Sequence, residues 1–166
     1  MQELKTKSII LLHGVFAPQA IKNFTGNPPG KIFVMEGRPG LEAAENNCRA
    51  LLKVGKKPTL ISDNMAGFLF YKDLVQEVRI AVQYSDKDGA LGATGALMLG
   101  VLARRHKVPV NLYPGKLSPR FLGDPKEVLV FKGKTIAPKG TKAYVPLVEW
   151  LPGKYITSAL PGCAAA

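Results

Sequence analysis

A chain of 166 residues suits one domain of ordinary size, and its 46% of hydrophobic residues is enough to build a core. No apolar run is long enough to span a membrane; the first one, 8–12, is too short for a signal-peptide core and no cleavage site follows it, so a cytoplasmic protein is expected. Lys and Arg total 23 against 12 Asp and Glu, a formal charge of +11 that favours anionic partners: phosphates, nucleic acid or an acidic protein.

Residues 8–13 read as a buried strand, followed by Gly14. Residues 17–24 suit a short helix, and Asn-Pro-Pro-Gly at 27–30 is a turn cluster. A second strand is expected at 31–35. An amphipathic helix follows at 40–54, after Pro39, which disfavours helix at Arg38. Gly-Lys-Lys-Pro at 55–58 ends it. A short third strand spans 59–61, and Asp63 is placed to cap a short helix running to about Phe70. A fourth strand is expected at 78–83, a helix rich in small residues at 90–106, and a fifth strand at 108–112. Beyond Pro114 Pro and Lys are frequent. Residues 128–131 suit one more edge strand, and an extended C-terminal segment closes near Thr157.

The strands are continuous apolar runs rather than alternating ones, so both faces of the sheet must be covered. Strands alternating with helices then predict right-handed βαβ units and an α/β fold: one Rossmann-like domain over 1–166, doubly wound on a mostly parallel sheet, with an extended C-terminal tail. In such a sheet ligands sit beyond the carboxyl ends of the strands. Those ends carry His13 and Gly14, 36–39, 62–64, 83–88 and 113–115.

Each candidate has a functional and a plain structural reading. Asp86 and Asp88 could be paired carboxylates, one with a raised pKa; the alternative is an Asp-Gly turn with a helix cap. Arg38 could hold a phosphate through a bidentate contact, or pair with Glu36 or Glu42. His13 could do acid–base work, or be a satisfied strand-end residue. With two histidines and two cysteines, neither a histidine-rich metal site nor a disulfide framework is expected. Gly89, Gly92 and Gly95 do not have dinucleotide-binding spacing, so no cofactor is expected. A helix N-terminus near Ala90 could still receive an anion on the backbone N–H groups of Gly89, Ala90 and Leu91. Cys48 falls at helical spacing with Leu41, Ala44, Leu51 and Leu52, as a buried small apolar residue would. Cys163, fourth from the end, matches a loose prenylation pattern that no adjacent polybasic run supports. Lys116, Arg120, Lys126, Lys132, Lys134, Lys139 and Lys142 form a basic stretch opposed by Asp124 and Glu127. It reads as a solvated face; its aromatics are Phe121 and Phe131, and no nucleic-acid module is visible, so nucleic acid is not the expected partner.

Several segments carry a family resemblance. Glu36-Gly37-Arg38-Pro39-Gly40-Leu41-Glu42 is similar to the Asp/Glu-x-Arg-Pro-x-x-Glu segment of initiation factor two-B exchange subunits, and to the Glu-Thr-Arg-Pro of methylthioribose-1-phosphate isomerases. Thr59-Leu60-Ile61-Ser62-Asp63-Asn64 resembles the isomerases' next strand and its Asp-Asn end. The passage from Leu102 to Val110 resembles the exchange subunits' helix-to-strand junction. Ile136 to Gly140, Pro146 to Pro152 and Tyr155-Ile156-Thr157 resemble the family's tail. Order and spacing match over nearly the whole chain, and the family's N-terminal helical domain has no counterpart in it.

The resemblance implies a Rossmann-like core and dimerisation through the tail. It does not carry over the isomerases' chemistry. Their Cys, in Gly-Thr-Asn-Gly-Cys, has no equivalent here. Their Asp, in Gly-Ala-Asp-Arg-Ile after the fourth strand, falls in the stretch Gln83-Tyr84-Ser85-Asp86-Lys87, where Asp86 aligns only after a register shift. From strand-end topology and charge, the expected ligand set is Arg38, Glu36, Asn64, Gly89, Ala90 and Leu91. Three readings follow: a non-catalytic or regulatory member that binds a phosphorylated sugar or nucleotide, as a homodimer or beside a family-related subunit; an aldose–ketose isomerase using Asp86 or Asp88 with His13; and a purely structural partner that completes an assembly with a longer relative.

Overall fold

A computed structural model describes residues 6–23, 30–116 and 120–163. Its main sheet has eight strands: β1 (Ile9–His13), β2 (Lys31–Met35), β3 (Thr59–Ile61), β4 (Val75–Asp86), β5 (Gly89–Ala93), β6 (Val110–Pro114), β9 (Val148–Pro152) and β10 (Ser158–Ala159). The intervening β7 (Val130–Phe131) and β8 (Lys134–Thr135) form a separate two-stranded hairpin. Among the described residues five α-helices accompany them: α1 (Pro18–Lys22), α2 (Glu42–Lys53), α3 (Met65–Tyr71), α4 (Ala96–His106) and the single turn α5 (Lys126–Leu129).

The parallel body runs in the order β10-β6-β4-β1-β2-β3. From β1 the chain builds outwards through β2 and β3, then returns to lay β4 on β1's other edge and continues through β6. The direction of winding reverses between β1 and β4. Alternate side chains of the apolar strands supply two cores, as strand geometry requires. Ile9, Leu11, Phe33, Met35, Val78 and Ile80 pack with α3 and α4 on one face. Ile10, Leu12, Ile32 and Val34 pack with Ala20 and Ile21 of α1 and Leu51 of α2 on the other. Burying each of these large apolar side chains contributes about 1.5–3 kcal/mol against leaving it in water. The doubly wound, mostly parallel sheet expected from the sequence is therefore present.

Four local expectations are corrected. The helix expected at 90–106 begins only at Ala96, because residues 89–93 form β5. β4 is longer than expected, and its last residues turn back antiparallel onto β5, which in turn pairs with β9. Glycines at 89 and 92 disfavour helix, and Gly89 has no room for a side chain against the Leu151 carbonyl and the Trp150 ring. Asp63 does not cap α3; its carboxylate faces the loop after β2. Residues 128–131 do not join the sheet edge: 126–129 are helical, and 130–131 pair within the small hairpin. Cys48 is half-buried against the second core. Cys163 is buried, its carbonyl accepts from the Ser85 hydroxyl, and its thiol is not presented for modification.

Candidate functional site

Val82 pairs with Pro114 of β6 on one edge and with Gly92 of β5 on the other, so β5 lies on β1's side of β4. It descends end-on towards the carboxyl end of β1. There the His13 ring meets the β5–α4 junction: Nε2 lies 3.1 Å from the Ala93 carbonyl, and a side chain at Gly95 would press on the ring. A cleft of about 340 Å³ opens at this point, where the winding reverses, which is where open α/β sheets hold ligands.

The cleft's floor is His13 and Gly14 after β1 and Ala81 and Gln83 of β4. One wall is the loop 37–40 with Glu42 and Ala43. The other is Ala93 and Thr94, and the cover is Lys116, Arg120, Glu127 and Leu147 from the excursion after β6. That excursion is tied down at several points. Lys116 N–H donates to the Val15 carbonyl (2.8 Å), Gly123 N–H to Val145 (2.8 Å) and Leu147 N–H to Phe121 (2.9 Å). Thr94 then joins it through N–H to the Leu147 carbonyl (3.1 Å) and hydroxyl to the Pro146 carbonyl (2.8 Å).

Arg38 enters the cleft from the loop after β2. Gly37, at φ +71 and against the Ala43 side chain, turns the chain where a Cβ would collide. The Asp63 carboxylate accepts both the Gly37 N–H (2.9 Å) and the Arg38 N–H (2.7 Å), bracing the loop from the end of β3. Among the described residues Arg38 makes no salt bridge with Glu36 or Glu42; its guanidinium lies 4.6 Å from the Phe131 ring centroid. Lys116 and Glu42 form a loose pair (3.6 Å), as do Arg120 and Glu127 (3.3 Å).

His13 is buried. Since a carbonyl only accepts, Nε2 carries the proton that Ala93 receives, which leaves Nδ1 as an acceptor with no partner. Burial pushes the imidazole pKa below its ordinary value, opposed by the Ala93 bond and by the charges of Asp63 and Glu149. His13 is thus neutral at physiological pH.

Of the residues singled out in the sequence, the structure brings His13 and Arg38 together at the cleft. Gly14, Gly37, Pro39 and Gln83, also named at the strand ends, line it with them, but the other proposed ligand and acid–base residues do not. Glu36 and Asn64 lie outside the lining. Asp86 and Asp88 sit at the tip of the β4–β5 hairpin, where Asp86 accepts from the N–H groups of Asp88 (2.8 Å) and Gly89 (3.1 Å) and from the Tyr84 hydroxyl (3.0 Å). The bond from Asp88 leads the effects that hold the Asp86 carboxyl below its usual pKa, so it is not the raised-pKa member of an acid pair. Gly89, Ala90 and Leu91 are spent in the β4–β5–β9 ladder and offer no helix N-terminus. The true start of α4 is already filled. Glu149 of β9 accepts from the Gly95 and Leu97 N–H groups, both at 2.8 Å, so the chain's own carboxylate takes the place of an anion. Sequence reasoning missed Thr94, Lys116, Arg120, Glu127 and Glu149; of these, Lys116, Arg120 and Glu127 belong to the stretch read as a solvated face.

Fold and cleft together define a Rossmann-like α/β protein with a cleft at the reversal of winding. Residues 21–161 match the model of the Initiation factor 2 subunit family (IF-2B), and the chain belongs to that family. It is 33% identical over 141 residues to a methylthioribose-1-phosphate isomerase of Thermus thermophilus, covering 78% of this chain and 43% of that protein. A second such isomerase, from Syntrophobacter fumaroxidans, is 32% identical over 152 residues, covering 82% and 43%. The chain therefore spans less than half the length of these relatives. Among solved structures, the 5-methylthioribose 1-phosphate isomerase of Pyrococcus horikoshii shares the fold with a TM-score of 0.77 at 24% identity, over 93% of this chain and 49% of that one. The translation initiation factor eIF-2B subunit delta of A. fulgidus does so with a TM-score of 0.75 at 18% identity, over 94% and 52%. No helix among the described residues is long and apolar enough to cross a membrane.

Proposed function

We propose that this chain is a non-catalytic member of the family that binds a phosphorylated small molecule, a sugar phosphate or a nucleotide, in the cleft. The observation that carries the reading is the convergence of Arg38, Lys116 and Arg120 on a cleft whose acidic lining is Glu42 and Glu127. Two of those cations lean on these acids, while the Arg38 guanidinium rests against the Phe131 ring, 4.6 Å from its centroid. A phosphate suits a planar guanidinium held this way. Gln83 argues against catalysis: it occupies the cleft in the stretch that corresponds to the isomerases' Asp, and an amide neither gives nor takes a proton in acid–base work. An assembly role, as homodimer or beside a longer relative, is compatible with this binding role.

The second reading, an aldose–ketose isomerase, draws support from the names of the similar proteins and from His13, whose buried Nδ1 is an unpartnered acceptor at the cleft floor. One set of measurements separates the two. Calorimetric titration with a ribose phosphate and a nucleoside monophosphate is expected to show binding, and Arg38→Ala to weaken it about ten- to a hundred-fold, the value of one charged hydrogen bond. Equal affinities for wild type and variant would remove Arg38 from the site. Turnover of methylthioribose-1-phosphate by the purified chain, abolished in His13→Gln, would replace the first reading by the second.

A further inference from the structure

We propose that the edge of the sheet opposite the cleft binds single-stranded nucleic acid. In a parallel sheet all strands begin at one edge, and here each of five neighbouring lanes begins with a lysine. In the order β6-β4-β1-β2-β3, these are Lys107, Lys72, Lys7, Lys31 and Lys57, each within three residues of its strand's start. They belong to five separate stretches of the chain and become a row only through the sheet topology. Adjacent strands lie about 4.8 Å apart, so the row extends over about 20 Å. All five residues are exposed, and among the described residues Lys7, Lys57, Lys72 and Lys107 take part in no salt bridge. Asp73 follows Lys72 directly in the chain and is exposed.

Basic residues at helix C-termini are common because they complement the helix dipole, and that accounts for Arg104 and Arg105. It does not account for Lys7 and Lys31, which precede or open strands. A row of like charges at strand spacing is self-repelling, and an extended polyanion laid along it relieves that repulsion.

The aromatic residues select the kind of polyanion. Phe68 and Tyr71 end α3 beside the row and are 58% and 75% exposed, which is unusual for rings of this size. The Lys72 ammonium lies 5.8 Å and 5.2 Å from their centroids. Exposed rings interleaved with cations are what unstacked bases need: the backbone follows the charges and the bases stack on the rings. An acidic peptide would use the row without the rings, and a duplex keeps its bases stacked inside. This surface lies at the far edge from the cleft and stands independently of what the cleft binds.

The test is fluorescence anisotropy of a labelled oligouridine of about a dozen nucleotides. Saturable binding is expected at about 50 mM salt, weakening towards about 200 mM with a log–log slope of about −2 to −3.5, as three to five phosphate contacts require. Charge reversal at three lanes, Lys7→Glu with Lys72→Glu and Lys107→Glu, is expected to abolish binding while the circular dichroism spectrum is unchanged. Tyr71→Ala, which removes an exposed ring and no charge, is expected to lower affinity about tenfold. Absence of binding at low salt overturns the proposal. So does a Tyr71→Ala variant that binds as tightly as wild type, or polyglutamate or a DNA duplex binding as tightly as the oligouridine.

Discussion

Removing the carboxylate of Glu149 tests the account of how β9 holds α4. Its Oε1 accepts the Gly95 and Leu97 N–H groups at 2.8 Å each, and these are donors that a helix cannot satisfy internally. Two hydrogen bonds to a charged acceptor have a ceiling of about 3–6 kcal/mol. The Leu97 end is exposed, so water recovers much of this when the side chain is lost. Loss of a helix cap costs about 0.5–2 kcal/mol, and a charge beside the N-terminal dipole adds about 0.3–1 kcal/mol. Glu149→Ala is therefore expected to cost about 2 kcal/mol, which for a domain of this size lowers Tm by about 4–8 °C. Glu149→Gln keeps an oxygen acceptor and loses the charge, so its cost is expected to be about half. Differential scanning calorimetry of the three proteins measures this. A Glu149→Ala protein melting within about 1 °C of wild type, or a Gln variant as damaged as the Ala variant, would refute the reasoning.

Burial lowers the pKa of His13 in the folded state, so below the ordinary value of 6.5 the unfolded chain takes up a proton that the folded chain does not. Stability is expected to fall as the pH drops from about 6.5 towards 5, and His13→Gln to flatten that decline in urea midpoints measured across the range. Gly89→Ala places a methyl group against the Leu151 carbonyl and the Trp150 ring, and urea unfolding is expected to show a loss of about 1–3 kcal/mol or more. Gly67→Ala, within α3 and with nothing within 4 Å, is expected to stabilise by about 0.5–1 kcal/mol in the same experiment. Leu151 is buried within its own chain, but Trp150 remains 39% exposed beside Tyr84, so a dimer formed through the segment 146–156 is expected to shield it. Light scattering at micromolar concentration checks this; a monomer there, or a dimer undisturbed by Trp150→Glu, would move the interface elsewhere.

Much of the parallel body was legible because each of its strands is a local apolar signal. Lys31–Met35 and Thr59–Ile61 are bounded by turn residues and match the expected limits. β5 was not legible. Gly-Ala-Leu-Gly-Ala has no strand periodicity of its own, and it is extended because β4 and β9 pair with both its edges. Asp63 shows the same difficulty at one residue: a carboxylate before a helix is a cap by local reasoning, but β2's loop offers it two N–H groups first.

The site divides along the same line. His13 and Arg38 could be named because one ends β1 and the other stands in the loop after β2, and in a parallel sheet the carboxyl ends of the strands lie on one side, where the cleft opens. Lys116 and Arg120 are indistinguishable in sequence from neighbouring lysines; they reach the cleft because backbone bonds from Val15, Val145 and Thr94 fold the excursion after β6 over it. The lysines at the strand starts were counted in the net charge, yet nothing local aligns residues as far apart as Lys7 and Lys107. By itself, then, the sequence determined the strands, the two buried faces and the excess of positive charge, since each depends on residue type and short-range order. Tertiary structure alone decided which of those charges meet, because that depends on sheet order, and sheet order is set by which apolar faces bury one another across the whole chain.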